Sequence, residues 1–186
     1  MSTVDKGKIT TADQLLQLPD DFGPCELVRG ELIMMSPGGD RHGRVQNNLY
    51  PPLSVFVREH ELGLTYPSDT GFILEPDQRT VRAPDIAFVC ANRISKQPSQ
   101  GFFPAPPDLA VEVRSPSDSE SDILARINLY LEVGVRVVWD VNPDSKTVAI
   151  YRPYSAPQVL HLEDTLTEEK LLPGFSIALR DVFPWD

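Results

Sequence analysis

The groups in this sequence best suited to chemistry are two acids, each embedded in an apolar segment. Asp85 is followed by the apolar residues 86–89, and Glu112 lies within the run Leu109–Val113. An unpaired charge in a core strand is costly, so each carboxylate needs a partner. One suitable partner is a hard divalent cation such as Mg²⁺, which prefers oxygen ligands and keeps several waters. The alternative is a structural ion pair with a nearby arginine: Arg82, Arg114 or Arg126.

A strand predicted over residues 108–114 sets the direction of the second acid. Side chains alternate along a strand with a period of two, so Glu112 and Arg114 project from the same face. Another strand is predicted over residues 81–89. If the two strands pair, Asp85 and Glu112 can bracket one divalent ion. An ion held there can lower the pKa of a bound water and stabilise negative charge on a phosphoryl group.

The elements that must position these acids follow a mixed pattern of helices and strands. Helices are predicted after the cap Thr10-Thr11, over residues 41–61 and over residues 118–132. Strands are predicted over residues 25–29, 31–35, 64–66, 70–74, 81–89, 108–114, 135–141 and 146–151. This order indicates an α/β (α+β) fold with a mixed central sheet flanked by helices. We expect a single domain over residues 1–186, with its core at about 10–180.

Three local features qualify this pattern. Pro51-Pro52 predicts a kink in the second helix, or its division into two abutting helices. The loop-like residues 95–107 contain Pro and Gln and are a candidate mobile flap. In the third helix, Asp122, Arg126 and Tyr130 lie four residues apart, a spacing that suits a ladder of exposed side chains.

Composition limits the possible partners. The 186 residues carry a formal net charge of −10, with 41% hydrophobic and 24% charged residues. So acidic a chain is a poor non-specific nucleic-acid binder, because such binding depends on Lys and Arg at phosphates. No apolar run approaches the length of a membrane span, and residues 1–8 lack the apolar stretch of a signal peptide. We therefore expect a cytoplasmic protein in which Cys25 and Cys90 are free thiols.

Several motifs together resemble the Uma family of proposed restriction endonucleases, within the PD-(D/E)XK restriction-endonuclease-like superfamily. The resemblance covers roughly residues 10 to 180, and each motif alone is weak whereas their order and number are specific. The matching segments are ELVRGEL at 26–32, MSP at 35–37 with His42, PDIAFV at 84–89, PDLAVEV at 107–113 with SPS at 115–117, and residues 130–143.

This resemblance implies a restriction-endonuclease-like fold with Asp85 and Glu112 as ligands of Mg²⁺ or Mn²⁺. Glu26 matches a further acid of the superfamily, and His42 would contact the substrate or a water on the metal. The family pattern places a catalytic lysine two residues after the second acid or on the following helix, where this chain has Arg114 and Arg126. Arginine can hold a phosphate or stabilise a transition state, but its high pKa prevents it from acting as a base.

The resulting hypothesis is a metal-dependent endonuclease that hydrolyses DNA phosphodiester bonds. Its catalytic residues would be Asp85, Glu112, Glu26, His42 and Arg126, and Arg126 or, second to it, Arg114 would hold the phosphate. A homodimer is expected, because restriction-like folds often pair to cut two strands. The alternative is a weakened or inactive member that serves as a dimeric interaction or regulatory module. A third possibility is a hydrolase of a small acidic metabolite.

Overall fold

The computed structural model describes residues 9–185, so the polar segment at residues 1–8 lies outside the described part. The helices within that range are α1 (Ala12–Leu16), α2 (Asp40–Glu59), α3 (Glu120–Glu132) and α4 (Leu179–Val182). None of the helices between residues 9 and 185 has the length and apolar character needed to cross a bilayer. Thr11 caps α1 through the backbone amide of Gln14, as the capping pattern predicts.

The strands lie in groups between these helices along the chain. Their bounds are β1 (Cys25–Val28), β2 (Glu31–Met34), β3 (Gly63–Pro67), β4 (Phe72–Ile73), β5 (Val81–Arg82), β6 (Ile86–Cys90), β7 (Leu109–Val113), β8 (Val137–Asn142), β9 (Thr147–Tyr151), β10 (Gln158–Leu160), β11 (Thr165–Glu168) and β12 (Leu172–Ala178).

The central sheet is mixed, in agreement with the predicted fold class. It has the order β10-β9-β8-β7-β6-β3, in which β7 and β8 are parallel and the other neighbours are antiparallel. A smaller sheet has the order β2-β1-β5-β4, and β11 pairs with β12. The hairpin predicted around Gly30 is confirmed as β1 and β2, and Gly30 adopts a positive φ of 82° at its turn.

Helices cover both faces of the central sheet. On one face, the apolar stripe of α2 packs against the sheet and the C-terminal strands; its members are Val45, Leu49, Leu53 and Val57. On the other face, α3 buries Ile123, Ile127 and Tyr130. Because β7 is enclosed from both sides, all five of its residues are buried. The segment β7-α3-β8 thus sets Glu112 deep in the molecule.

The single strand predicted over residues 81–89 is wrong. The chain forms β5 in the smaller sheet, leaves it through residues 83–85, and enters the central sheet as β6. Pro84 lies in this connection and has no N–H to donate to a ladder. Asp85 therefore stands just before β6 rather than inside a strand. The condition set for a shared site is nevertheless met, because β6 pairs with β7 and Ile86 lies opposite Val111.

The second helix is one element, so of the two predicted alternatives the division into two helices is wrong, and the kink stays a prediction. Pro51 and Pro52 both lie within α2 and are exposed, while the buried stripe continues past them to Val57. Proline has no N–H, so the carbonyl four residues before each proline loses its helical hydrogen bond. Because Pro51 and Pro52 are exposed, water can bind to these carbonyls instead. Residues 95–107 form the predicted loop apart from one bridge between Phe72 and Phe103. Whether this loop moves stays a prediction.

Candidate functional site

Asp85 is held by donors from two different elements. The backbone N–H of Val113, at the end of β7, donates to Oδ2 of Asp85 over 2.7 Å. Gln46 and His42, one turn apart on α2, approach Oδ1 at 2.7 and 3.0 Å through their Nε2 atoms. The Asp85 side chain is 16% exposed, so it is accessible yet fixed. Its two oxygens are thereby oriented between α2 and the end of β7.

Glu112 lies next to this position on β7 and is buried against two side chains of α3. Tyr130 donates its hydroxyl hydrogen to Oε1 over 2.7 Å, and Arg126 places NH1 at 2.7 Å from Oε2. Arg126 also approaches Asp118 with NH2 at 3.7 Å. The suggestion that Asp122, Arg126 and Tyr130 form an exposed ladder is wrong, because Tyr130 has no exposed surface and Arg126 points to Glu112.

Glu26 reaches the same region from the smaller sheet. Its carboxylate accepts hydrogen bonds from the Arg82 guanidinium at 2.5 Å and from the backbone N–H of Ala83 at 2.8 Å. The Glu26 side chain is 5% exposed, which makes it a buried acid rather than a surface residue of a hairpin. The contact with Ala83 also anchors the connection that carries Asp85.

The electrostatics show that these acids share one environment. Burial raises the pKa of Glu112 to about 7; Arg126 opposes this shift, and the negative charges of Asp85 and Glu26 add to it. The hydrogen bond to Asp85 raises the pKa of His42, against the effect of burial, and more distant Asp118 and Glu112 contribute. Burial acts to lower the pKa of Arg126, but the charge of Glu112 and its hydrogen bond raise this pKa above the ordinary value. Glu112 is therefore affected both by its burial and by the charges of the two other acids.

A cleft of about 1340 Å³ collects most of the predicted site residues. Glu26, His42, Asp85, Glu112 and Arg126 all line it. Arg114 is not brought into this cleft: it forms a two-point ion pair with Asp140, with Nε and NH2 at 2.8 and 2.7 Å, and also contacts Glu120. The strand alternation placed Arg114 on the same face as Glu112, but its guanidinium turns towards β8 and the start of α3.

Comparison with known families gives this arrangement a context. Residues 12–180 match the Uma2 family, whose description is "Putative restriction endonuclease". The chain belongs to the Uma2 family. The resemblance that the sequence motifs carry is thus confirmed over nearly the whole described chain. No curated protein matches.

A solved structure shares the fold of this Uma2 chain. It is a protein from Anabaena variabilis ATCC 29413, described as a "putative nuclease belonging to DUF820". The two chains superpose with a TM-score of 0.80 at 22% sequence identity, over 94% of this chain and 98% of the other. At this identity the likeness establishes the architecture, and it agrees with the mixed sheet flanked by helices.

Two residues that contact the acids of the candidate site were not predicted from the sequence. Gln46 contacts Asp85, and its position four residues after His42 was an available signal, because such residues share a helix face. Tyr130 contacts Glu112. Its spacing of four residues from Arg126 correctly indicates a shared helix face, but that face is buried and not exposed as predicted. Gln46 lies on α2 and Tyr130 on α3, and these two helices pack on opposite faces of the central sheet.

Proposed function

We propose that this protein is a metal-dependent endonuclease that hydrolyses phosphodiester bonds of DNA at the cleft formed by Asp85, Glu112 and Glu26. The observation that carries this proposal is that three acids, from β1, β7 and the connection between β5 and β6, line one cleft, where burial and then the charges of Asp85 and Glu26 raise the pKa of Glu112 to about 7. Buried like charges in a cleft are a common mark of a functional site. Membership of the Uma2 family supports the same chemistry.

The oxygen atoms present fit a hard divalent cation. Asp85 and Glu112 offer carboxylate oxygens on the same cleft, and a cation would offset the repulsion by which Asp85 helps to raise the pKa of Glu112. Among residues 9–185, no group of three or more His, Cys, Asp or Glu side chains is arranged to hold a metal. Mg²⁺ commonly uses one or two carboxylates and fills its remaining positions with water. Asp85 and Glu112 would hold Mg²⁺ or Mn²⁺, which supplies water activation and charge stabilisation at the phosphoryl group.

The side chains around these two acids have separate roles in the proposal. Gln46 and the N–H of Val113 orient the Asp85 carboxylate, and Tyr130 orients that of Glu112. Arg126 lines the cleft beside Glu112, so its guanidinium is placed to approach a phosphate oxygen of a substrate. His42 lines the cleft and can exchange a proton with the substrate. Arg114 stays the weaker candidate for phosphate binding, because Asp140 and Glu120 already engage its guanidinium.

The test is cleavage of plasmid and single-stranded DNA with Mg²⁺ or Mn²⁺. We expect Asp85→Ala and Glu112→Ala each to lower the cleavage rate by at least about a hundredfold, as loss of an essential charge-stabilising group does. Glu168→Gln is the matched control, since Glu168 is a buried acid paired with Arg152 outside the cleft. Cleavage that survives both alanine variants would refute the proposal.

One observation favours the second candidate, a non-catalytic interaction module. Arg126 occupies the helix position of the family lysine and already neutralises Glu112 at 2.7 Å. A carboxylate with a permanent cation at its oxygen has less need of a metal. Calorimetric titration with Mn²⁺ separates the two functions: binding that Glu112→Ala abolishes supports the nuclease, and no binding at millimolar metal supports the module. The homodimer remains a proposal under either function.

A further inference from the structure

A second, smaller cavity, the hollow, adjoins the cleft at Asp85. It has a volume of about 260 Å³ and lies between α2 and the end of β3. Its lining residues are Gly43, Gln46, Asn47, Tyr50, Pro51, Pro67, Ser68 and Asp85. Four of these also line the cleft, and they mark the boundary at which the two spaces meet: Gly43, Gln46, Ser68 and Asp85.

One face of α2 runs from the cleft into the hollow. His42 lines the cleft, Gln46 lines both spaces, and Tyr50 lines the hollow. Residues four apart share a helix face, and eight residues of helix extend about 12 Å. A strand of duplex DNA advances about 3.4 Å per nucleotide, so a chain lying along this face would cover more than one nucleotide.

The hollow and the cleft differ in charge. Six acids line the cleft: Glu26, Asp69, Asp85, Glu112, Asp118 and Asp122. The two arginines of the cleft, Arg82 and Arg126, are each already paired with one of these acids. Among the described residues that line the hollow, Asp85 alone is charged. A polyanionic chain that reaches Asp85 therefore meets the least repulsion on the side of the hollow.

Neutral hydrogen-bond donors line the hollow in place of cations. The exposed Asn47 donates to Oδ1 of Asn48 over 3.4 Å, a long contact that it can exchange for a substrate oxygen. Tyr50 and Ser68 each add a hydroxyl group. Asn, Ser and Tyr side chains commonly bind the phosphate oxygens and sugars of DNA. Because ligand pockets usually measure about 300–1,000 Å³, the hollow suits one unit of a larger substrate.

Gly43 leaves the boundary between the two spaces open. A Cβ at this position would meet nothing within 4 Å, so α2 presents only its backbone there. Glycine is among the poorest helix formers, so the helix itself gains nothing from it. The missing side chain does, however, leave room for a substrate to pass from the cleft to the hollow.

From these observations we propose that the hollow binds the nucleotide next to the scissile phosphate, so that the substrate is a polynucleotide that crosses Asp85 and not a small phosphodiester. This inference rests on the proposed nuclease function and assigns its substrate a binding subsite. Asn47, Tyr50 and Ser68 bind sugar and phosphate oxygens of that nucleotide. Such contacts away from the reacting bond supply binding energy that accelerates cleavage of a long substrate over a short one.

Cleavage kinetics on two substrates in Mg²⁺ or Mn²⁺ test the subsite: a labelled DNA oligonucleotide, and methyl p-nitrophenyl phosphate, a diester too small to reach the hollow. Asn47→Ala should lower kcat/KM for the oligonucleotide about tenfold, because it removes a donor to a charged substrate, and should leave the small diester unaffected. Ser54→Ala is the matched control, since Ser54 lies two turns further along α2 and lines neither space. An equal loss on both substrates in the Asn47 variant would overturn the inference.

Gly43→Leu tests the passage. We expect it to lower oligonucleotide cleavage by at least about tenfold while Tm stays equal to that of wild type or rises, because leucine favours a helix more than glycine does. Gly39→Leu is the control: a Cβ there also meets nothing within 4 Å, and Gly39 lines neither the cleft nor the hollow. Oligonucleotide cleavage that neither Asn47→Ala nor Gly43→Leu changes would overturn the subsite and leave the nuclease function standing.

Binding separates the failure of the subsite from the failure of the nuclease function. Fluorescence anisotropy in Mg²⁺ measures binding of the same oligonucleotide. Binding that Asn47→Ala and Gly43→Leu weaken, without cleavage by wild type, refutes the nuclease function and supports the subsite. Hydrolysis of the small diester without binding or cleavage of the oligonucleotide refutes both, as does absence of all three.

Discussion

The guanidinium of Arg126 lies 2.7 Å from Oε2 of Glu112, and this contact joins α3 to the centre of β7. Glu112 consequently has a fixed cation on one oxygen and the Tyr130 hydroxyl on the other. The pair keeps a charged group in the interior, but it also occupies the oxygen that a metal or a lysine would approach. Stability, its pH dependence and metal binding should therefore depend on whether the Glu112 carboxylate is paired with Arg126 or available to a metal.

Arg126→Lys should raise metal-dependent cleavage by about tenfold or more. A lysine keeps the positive charge but presents it as a single ammonium group instead of a planar guanidinium. It can also exchange a proton, which Arg126 cannot do, because Glu112 raises the pKa of Arg126 above its already high value. Initial cleavage rates in Mn²⁺ give the measurement. Arg93→Lys, at the Arg93–Asp108 pair outside the cleft, is the control and should leave the rate unchanged. A rate no higher than wild type would show that Arg126 does not limit the activity.

Tyr130→Phe should destabilise the protein by about 1–3 kcal/mol, because it leaves a buried Glu112 oxygen without its donor. The loss should be greater near pH 8 than near pH 5, since the ionised carboxylate depends more on a donor than the neutral acid does. Urea unfolding at the two pH values measures both effects. An equal loss at both would mean that Glu112 does not change its charge over this range.

The raised pKa of Glu112 predicts a specific pH dependence of stability. Unfolded Glu112 loses its proton near pH 4.5 and the folded form near about pH 7, so the folded state holds more protons between these values. The contribution of Glu112 to the free energy of unfolding must therefore fall as pH rises through this window and level off above about pH 7. Glu112→Gln should remove that fall relative to wild type when both are unfolded with urea in EDTA.

Glu120→Gln serves as the control for this window. The Arg114 guanidinium lowers the pKa of the Glu120 carboxyl, so above about pH 6 Glu120 is ionised in both states and adds no slope. His42 contributes a fall of its own, because its pKa is raised in the folded protein and the associated stability is lost as pH rises through that value. Both single variants retain His42 and its bond to Asp85, which is the largest cause of its raised pKa, so most of the fall that Glu112→Gln removes belongs to Glu112.

Stabilisation by Mg²⁺ or Mn²⁺ should increase with pH across neutrality. The metal competes with the proton of Glu112, so a given metal concentration should raise Tm more near pH 8 than near pH 6. Differential scanning fluorimetry measures this, and Asp85→Asn should reduce the shift at both pH values. A shift that is independent of pH would place the metal away from Glu112.

Gly38→Ala should displace the His42 ring from Asp85. A Cβ at position 38 would lie 2.7 Å from Nδ1 of His42, closer than side chains approach one another, whereas a Cβ at Gly39 meets nothing within 4 Å. Gly39→Ala is thus the matched control. The expected result is a lower pKa of His42 in the Gly38 variant, because the bond to Asp85 is what raises it. NMR titration of the imidazole protons would detect the difference, and identical titration curves would contradict it.

Much of the fold was predictable, and the reasons for the failures are physical. The hairpin at Gly30 and the strand at Leu109–Val113 have strong local signals, and the structure agrees with them. The split of residues 81–89 could not be predicted, because β5 is only the two residues Val81–Arg82 and a local pattern does not say which sheet a strand joins. In the site, sequence identified Asp85 and Glu112, but the donors to them depend on how α2 and α3 pack. Spacing identifies a helix face; it does not say whether that face is buried.

The connection at residues 83–85 should limit where the chain tolerates insertions and deletions. It is three residues long, ties β5 in one sheet to β6 in the other, and ends in Asp85. Surface loops generally tolerate insertions, but an extra residue here would rotate Asp85 away from the N–H of Val113 and slip β6 against β7. Insertions and deletions in this connection should therefore be selected against as strongly as replacement of the acids themselves.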